Sequence, residues 1–150
     1  MKYIIHVFKN YCTFKGRAGK KEFWLFILFN AIVLSLLIFV DSKIFSDVKS
    51  GMFGIVVESL GSGFGLPYLL HWYEMHPEVT PGYGPLAIIY VLGTLLPNIA
   101  LTVRRLHDIE LSGWLILPTI IPVIGWIWWF VIGLFKGNTT ENNYGDVPTL

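Results

Sequence analysis

GWLILPTIIPVIGWIWWFVIGLF, residues 113–135, runs for twenty-three residues without a charge. A helix needs about 20 apolar residues to cross a hydrocarbon core of about 30 Å. The stretch therefore reads as a membrane span, bounded by the polar segment RRLHDIELS (104–112) on one side and Lys136 on the other. Two more stretches pass the same test. FWLFILFNAIVLSLLIFV runs from Phe23 to Val40 between Glu22 and Asp41, and PLAIIYVLGTLLPNIALTV runs from Pro85 to Val103 and ends on Arg104 and Arg105. The expected fold is all-α: an integral membrane bundle of three transmembrane helices at about 23–41, 85–103 and 113–135. Trp24 and Trp114 stand at span starts, where interfacial aromatics collect.

Composition agrees. Hydrophobic residues make up 54% and charged residues 14%, where a soluble domain carries about 25% charged. Mean hydropathy is +0.61. A chain of 150 residues suits a single domain, 1–150. A net charge of +1 gives no field to attract nucleic acid. Cys12 is the lone cysteine, which excludes an intrachain disulfide and a Cys-rich metal site. The first long apolar run begins only at Phe23, so no cleavable signal peptide is expected.

Flanking charge sets the expected orientation. With three spans, residues 1–22 and 104–112 share one side, which holds Lys2, Lys9, Lys15, Arg17, Lys20, Lys21, Arg104 and Arg105. The other side holds Lys43, Lys49 and Lys136. Basic residues mark the cytoplasmic side. The reading thus puts the N-terminus and RRLHD in the cytoplasm, and the C-terminal tail and the 42–84 loop outside. Within that loop, MFGIVV (52–57) and FGLPYLLHWY (64–73) are too apolar for a solvated linker and are expected to rest on the membrane surface. A fourth span within 51–70 would move Arg104 and Arg105 outside, so it is not preferred. The N-terminal segment reads as an amphipathic interfacial helix, with Lys2, His6, Lys9, Asn10 and Thr13 on one face. Ile4, Val7, Phe8 and Tyr11 line the other.

Two polar segments stand out. In FKGRAGKKEFW (14–24), Gly16 and Gly19 separate the first helix from the first span, and Arg17, Lys20, Lys21 and Glu22 gather at the membrane face. In RRLHD, helical spacing makes Arg104 and Asp108 an i, i+4 pair and Arg105 and Asp108 an i, i+3 pair. Asp108 beside two guanidiniums stays ionised and makes a poor general acid or base. His107 is the group there that titrates near neutral pH. Ser112 is the one nearby hydroxyl, and adjacency alone does not make a triad. Two arginines are poor company for a metal. No enzyme activity, metal or cofactor is expected. The spans hold no ionisable side chain of the kind proton-coupled transport uses. Asn30, Asn98, Thr94, Thr102 and Thr119 read as hydrogen-bonding groups within the helix bundle. Pro97, Pro118 and Pro122 should kink their helices and free carbonyls that then need partners. The tail GNTTENNYGDVP (137–148) is rich in turn formers.

The stretches KNYCTFKGRAGKKEFWLFILFN, LLPNIALTVRRLHDIELSGW and IPVIGWIWWFVIGLFKGNTTENNYG together resemble the domain of unknown function 805 family of small bacterial inner-membrane proteins. The shared pattern is F-x-G-R-x-x-(R/K)-x-E-(F/Y)-W, then R-R-L-H-D, then E-N-x-(F/Y)-G in the tail. Family members often have Gly or another small or polar residue, then a basic one, where this chain has Glu110 and Leu111. A second aromatic commonly stands where it has Leu115, and its 41–84 loop is longer. The resemblance implies a bundle of membrane helices in the bacterial plasma membrane, and it implies no activity. The expected function is a non-enzymatic inner-membrane protein. Its cytoplasmic cluster of Arg17, Glu22, Arg104, Arg105, His107 and Asp108 is expected to bind anionic phospholipid head groups or a membrane protein partner. The alternative is a subunit of a homo-oligomeric channel or transporter for a small solute.

Overall fold

The computed structural model describes residues 1–44, 85–121 and 124–148, and every regular element among them is helical. In chain order these are α1 (Lys2–Lys9), α2 (Lys20–Ile44), α3 (Pro85–Asp108), a 3-10 helix (Gly113–Ile120) and α4 (Ile124–Leu134). The expectations for 52–57 and 64–73, and for a kink at Pro122, lie outside the described residues.

Two of the described helices, α2 and α3, are long and apolar enough to cross a membrane. At about 1.5 Å per residue each runs well over 30 Å. They pack antiparallel, and polar contacts mark both ends. Arg104 meets Glu22 at one end, with Nη1 to Oε1 at 3.3 Å. At the other, Asp41 closes α2 onto α3: its carboxylate accepts the N–H groups of Leu86 and Ala87 at 3.3 and 2.8 Å. Those are orphan donors of a helix start, and Pro85 ahead of them has no N–H to satisfy. Asp41 is fully buried there. Between the ends, Tyr90 donates to Asn30 Oδ1 at 2.7 Å, a hydrogen bond between the two helices. Asn98 and Thr102 instead bond the backbone of their own helix, the local alternative open to short polar side chains. Phe26, Leu34, Ala87 and Ala100 are buried, while Leu28, Ile32, Leu36, Phe39 and Ile89 face outward.

Pro97 lies inside α3 and cannot donate to the carbonyl of Gly93. The Tyr11 hydroxyl donates to that carbonyl instead. This bond helps to seat the N-terminal segment. Along α1, Val7 is buried and Phe8 packs edge-on to Phe26 and Phe29 with centroids at 5.5 and 6.3 Å. The helix expected over the first residues is present, and it packs on α2 and α3.

Residues 113–135 differ from expectation. They are not one continuous helix: an 8-residue 3-10 helix holding Pro118 is followed by the 11-residue α4. The two legs fold back on each other. Trp128 Nε1 donates to the Leu115 carbonyl at 2.7 Å. A Cβ on Gly125 would clash with the Thr119 carbonyl. The far end of α4 then returns to the start of α2, where Trp24 Nε1 bonds the Gly133 carbonyl at 3.0 Å. Phe23, Trp24 and Trp129 interlock there with centroid distances of 5.3 to 5.8 Å. Only glycine fits at 133, because a Cβ would meet the Trp24 ring at 2.7 Å. The tail therefore lies beside RRLHD, not on the opposite side from it. A proline-broken run that doubles back replaces the single crossing expected from length alone.

Candidate functional site

Arg17, Glu22, Arg104, Arg105, His107 and Asp108 come together at one end of the α2–α3 pair, as two neighbouring knots. The first centres on Asp108. Its carboxylate takes Arg17 on one oxygen, at 2.9 and 3.0 Å from Nη2 and Nε, and Arg105 on the other. Arg17 Nη1 also donates to the carbonyls of Thr140 and Gly145, at 2.7 and 3.2 Å, and Nη2 to that of Asn138. Arg105 donates from Nε to the Ile132 carbonyl at 3.1 Å and from its other nitrogens to the carbonyls of Ala18 and Phe135. Two cations thus share one carboxylate, and a ring of carbonyl dipoles takes up their remaining donors. Four segments converge on this knot: the 16–19 turn, the end of α3, the end of α4 and the tail.

Backbone bonds complete it. Ala18 N–H donates to the Arg104 carbonyl at 3.0 Å, and Asn138 N–H to the Asp108 carbonyl at 2.9 Å. Gly137 presses so closely on Asp108 that a Cβ would overlap the carboxylate. His107 donates from Nδ1 to the Gly16 carbonyl at 3.2 Å, stacks flat on Tyr144 at 4.0 Å, and offers its own carbonyl to Asn142 Nδ2 at 2.9 Å. It lies beyond the apolar run of α3, and burial pushes its pKa down, partly offset by the bond to Gly16. In α3's last turn Leu111 N–H bonds the Leu106 carbonyl, and Glu110 takes φ +64°. This left-handed position after a helix is one that glycine fills most easily.

The second knot centres on Glu22. Its Oε1 accepts from Arg104 Nη1 at 3.3 Å and from His6 Nδ1 at 3.0 Å. His6 Nε2 accepts in turn from Asn10 Nδ2 at 3.1 Å. Arg104 is 3% exposed, yet its Nε and Nη2 have no hydrogen-bond partner among the described residues. Glu22 also lines a cavity of about 210 Å³ with Tyr3, Gly19, Lys20, Lys21 and Pro148.

The six residues named from the sequence lie together at one end of the helix pair. Sequence reasoning misses His6 and the tail residues Asn138, Thr140, Asn142, Tyr144 and Gly145. Helical spacing puts His6 on the polar face of α1 and so towards solvent. A single crossing at 113–135 puts the tail across the membrane.

Two curated relatives are similar along nearly the whole chain. Inner membrane protein YhaI of Escherichia coli K12 is 34% identical over 148 residues, covering 99% of this chain and 96% of its own. Inner membrane protein YhaH of the same strain is 33% identical over 150 residues, covering 100% and 98%. No solved structure matches. Residues 11–146 match the family described as proteins of unknown function, DUF805; on that match and these identities, the chain belongs to the DUF805 family of membrane proteins.

Proposed function

We propose that the chain is a non-enzymatic integral inner-membrane protein that binds anionic phospholipid head groups at the Glu22 knot. The observation that carries this reading is the unequal use of the arginines. Arg17 and Arg105 bond through all three of their nitrogens and have nothing left for a ligand. Arg104 keeps two nitrogens unused. Its partner Glu22 opens onto the cavity beside Lys20 and Lys21. A buried donor without a partner costs about 1–3 kcal/mol, and a phosphate oxygen or a bridging water removes that cost. In this reading His107 and Asp108 hold the fold together and do no chemistry.

The same face is the cytoplasmic one. Lys136 follows Phe135, whose carbonyl Arg105 holds, so it joins Lys2, Lys9, Lys15, Arg17, Lys20, Lys21, Arg104 and Arg105 there. Lys43, in the last turn of α2, remains for the other side, a stronger asymmetry among the described residues than a tail outside would give. α1 then lies at the cytoplasmic interface with Lys2 and Lys9 reaching water.

Each surface lysine contributes about 1 kcal/mol towards anionic lipid. The Lys20→Ala/Lys21→Ala double variant should therefore bind phosphatidylglycerol about thirtyfold more weakly in native mass spectrometry. Phosphatidylcholine binding should not change. Equal phosphatidylglycerol retention by the variant and the parent would refute the head-group site.

A further inference from the structure

We infer that the 3-10 helix and α4 are the two legs of a re-entrant hairpin, seated in the acyl chains of one leaflet and entering and leaving it on the face that carries RRLHD. The partner this surface fits is the hydrocarbon of a single monolayer.

Both feet of the hairpin are fixed at one level. Residue 113 begins its leg right after the 104–112 segment, and a Cβ there would meet Val103 and His107. The other leg ends where Arg105 holds the Ile132 and Phe135 carbonyls and Lys20 bonds that of Leu134. Leg length sets how deep the hairpin reaches. Eight residues of 3-10 helix rise about 16 Å, at about 2.0 Å each. Eleven residues of α-helix rise about 16 Å as well. Half of a hydrocarbon core is about 15 Å. The legs match each other and one leaflet, and neither matches a whole bilayer.

The outward surface suits hydrocarbon. Leu117, Ile121, Ile124, Ile127 and Leu134 are half or more exposed, and the legs contain no charge. Irregular backbone is costly in lipid unless its polar groups are bonded. Here both legs are helical, and Trp128 satisfies the Leu115 carbonyl across the hairpin.

Single-cysteine labelling tests this independently of the head-group site. In a Cys12→Ser background, Lys15→Cys, Lys43→Cys, Ile124→Cys and Glu141→Cys are treated with a membrane-impermeant maleimide in vesicles of both orientations. The expected result is that Lys15→Cys and Glu141→Cys react from the same side and Lys43→Cys from the opposite side. Ile124→Cys should react from neither. Glu141→Cys reacting with Lys43→Cys would mean a single crossing and overturn the proposal. Ile124→Cys reacting from the Lys43 side would mean a full crossing and return, and would overturn it too. A reporter fused to the tail of the unsubstituted chain reads the same sidedness without any cysteine variant: on the Lys15 side it supports the hairpin, and on the Lys43 side it overturns it.

Discussion

Asp108 and Glu22 sit at the same end of the helix pair, and each holds buried guanidinium groups, but they close in different ways. Around Asp108 every guanidinium nitrogen finds a carboxylate or a carbonyl, and the carbonyls come from the 16–19 turn, α4 and the tail. Around Glu22 the guanidinium of Arg104 is bonded through one nitrogen of three, one partner is the partly exposed His6, and a cavity opens alongside. A fully paired polar network rigidifies what it touches, while a partly paired one leaves donors that a further acceptor can satisfy. The difference separates a part that holds the fold from a part that can bind something.

The largest expected effect tests this separation head-on. Asp108→Asn leaves two buried guanidiniums without a counter-charge and should cost about 3–5 kcal/mol. Glu22→Gln leaves one buried guanidinium, that of Arg104, without a counter-charge instead of two, and should cost less. Denaturant unfolding in detergent compares the two, and equal losses would erase the distinction. Next comes Gly137→Ala. The added methyl falls on the Asp108 carboxylate, and overpacking of this kind costs about 1–3 kcal/mol. The same assay should show the loss for Gly137→Ala and almost none for Gly93→Ala, where a Cβ meets nothing.

A smaller effect has the opposite sign. Glu110 bears a left-handed φ, which costs a side-chain-bearing residue about 1–2 kcal/mol. Its side chain accepts an exposed hydrogen bond from Asn138 at 3.1 Å. Glu110→Gly should therefore raise stability by under about 1 kcal/mol, seen as a higher midpoint; a lower midpoint would mean that the Asn138 bond outweighs the strain. The smallest effect is that of pH. The lowered pKa of His107 means that the folded state favours the neutral ring. Its contribution is full above the ordinary value of about 6.5 and is lost as pH falls through the lowered one. Thermal melts at pH 7.5 and 5.0 should show this loss, and His107→Gln should flatten it.

What could be read from the sequence follows from what length and charge can report. The long helices Lys20–Ile44 and Pro85–Asp108 were legible because each carries a long, almost uncharged apolar run. The site residues were legible because the membrane has no use for FKGR, RRLHD and their acidic partners except at one of its faces. The freed carbonyl at Gly93 was foreseeable from Pro97, though its partner Tyr11 was not. The hairpin was hidden because one crossing and one out-and-back of the same length look alike to a hydropathy window. Pro118 and Gly125 were the visible signals, and they read equally well as kinks. Asp41 looked like a mere end marker, because its partners Leu86 and Ala87 lie over forty positions away. The departure at Glu110 shows as a strained position only once its φ is known.

Hydrogen exchange of the 138–145 tail in Asp108→Asn and Glu22→Gln tests the division of labour most directly. The account predicts that Asp108→Asn loses tail protection by about tenfold or more while Glu22→Gln keeps it. Equal protection in the two variants, or greater loss in Glu22→Gln, would contradict it.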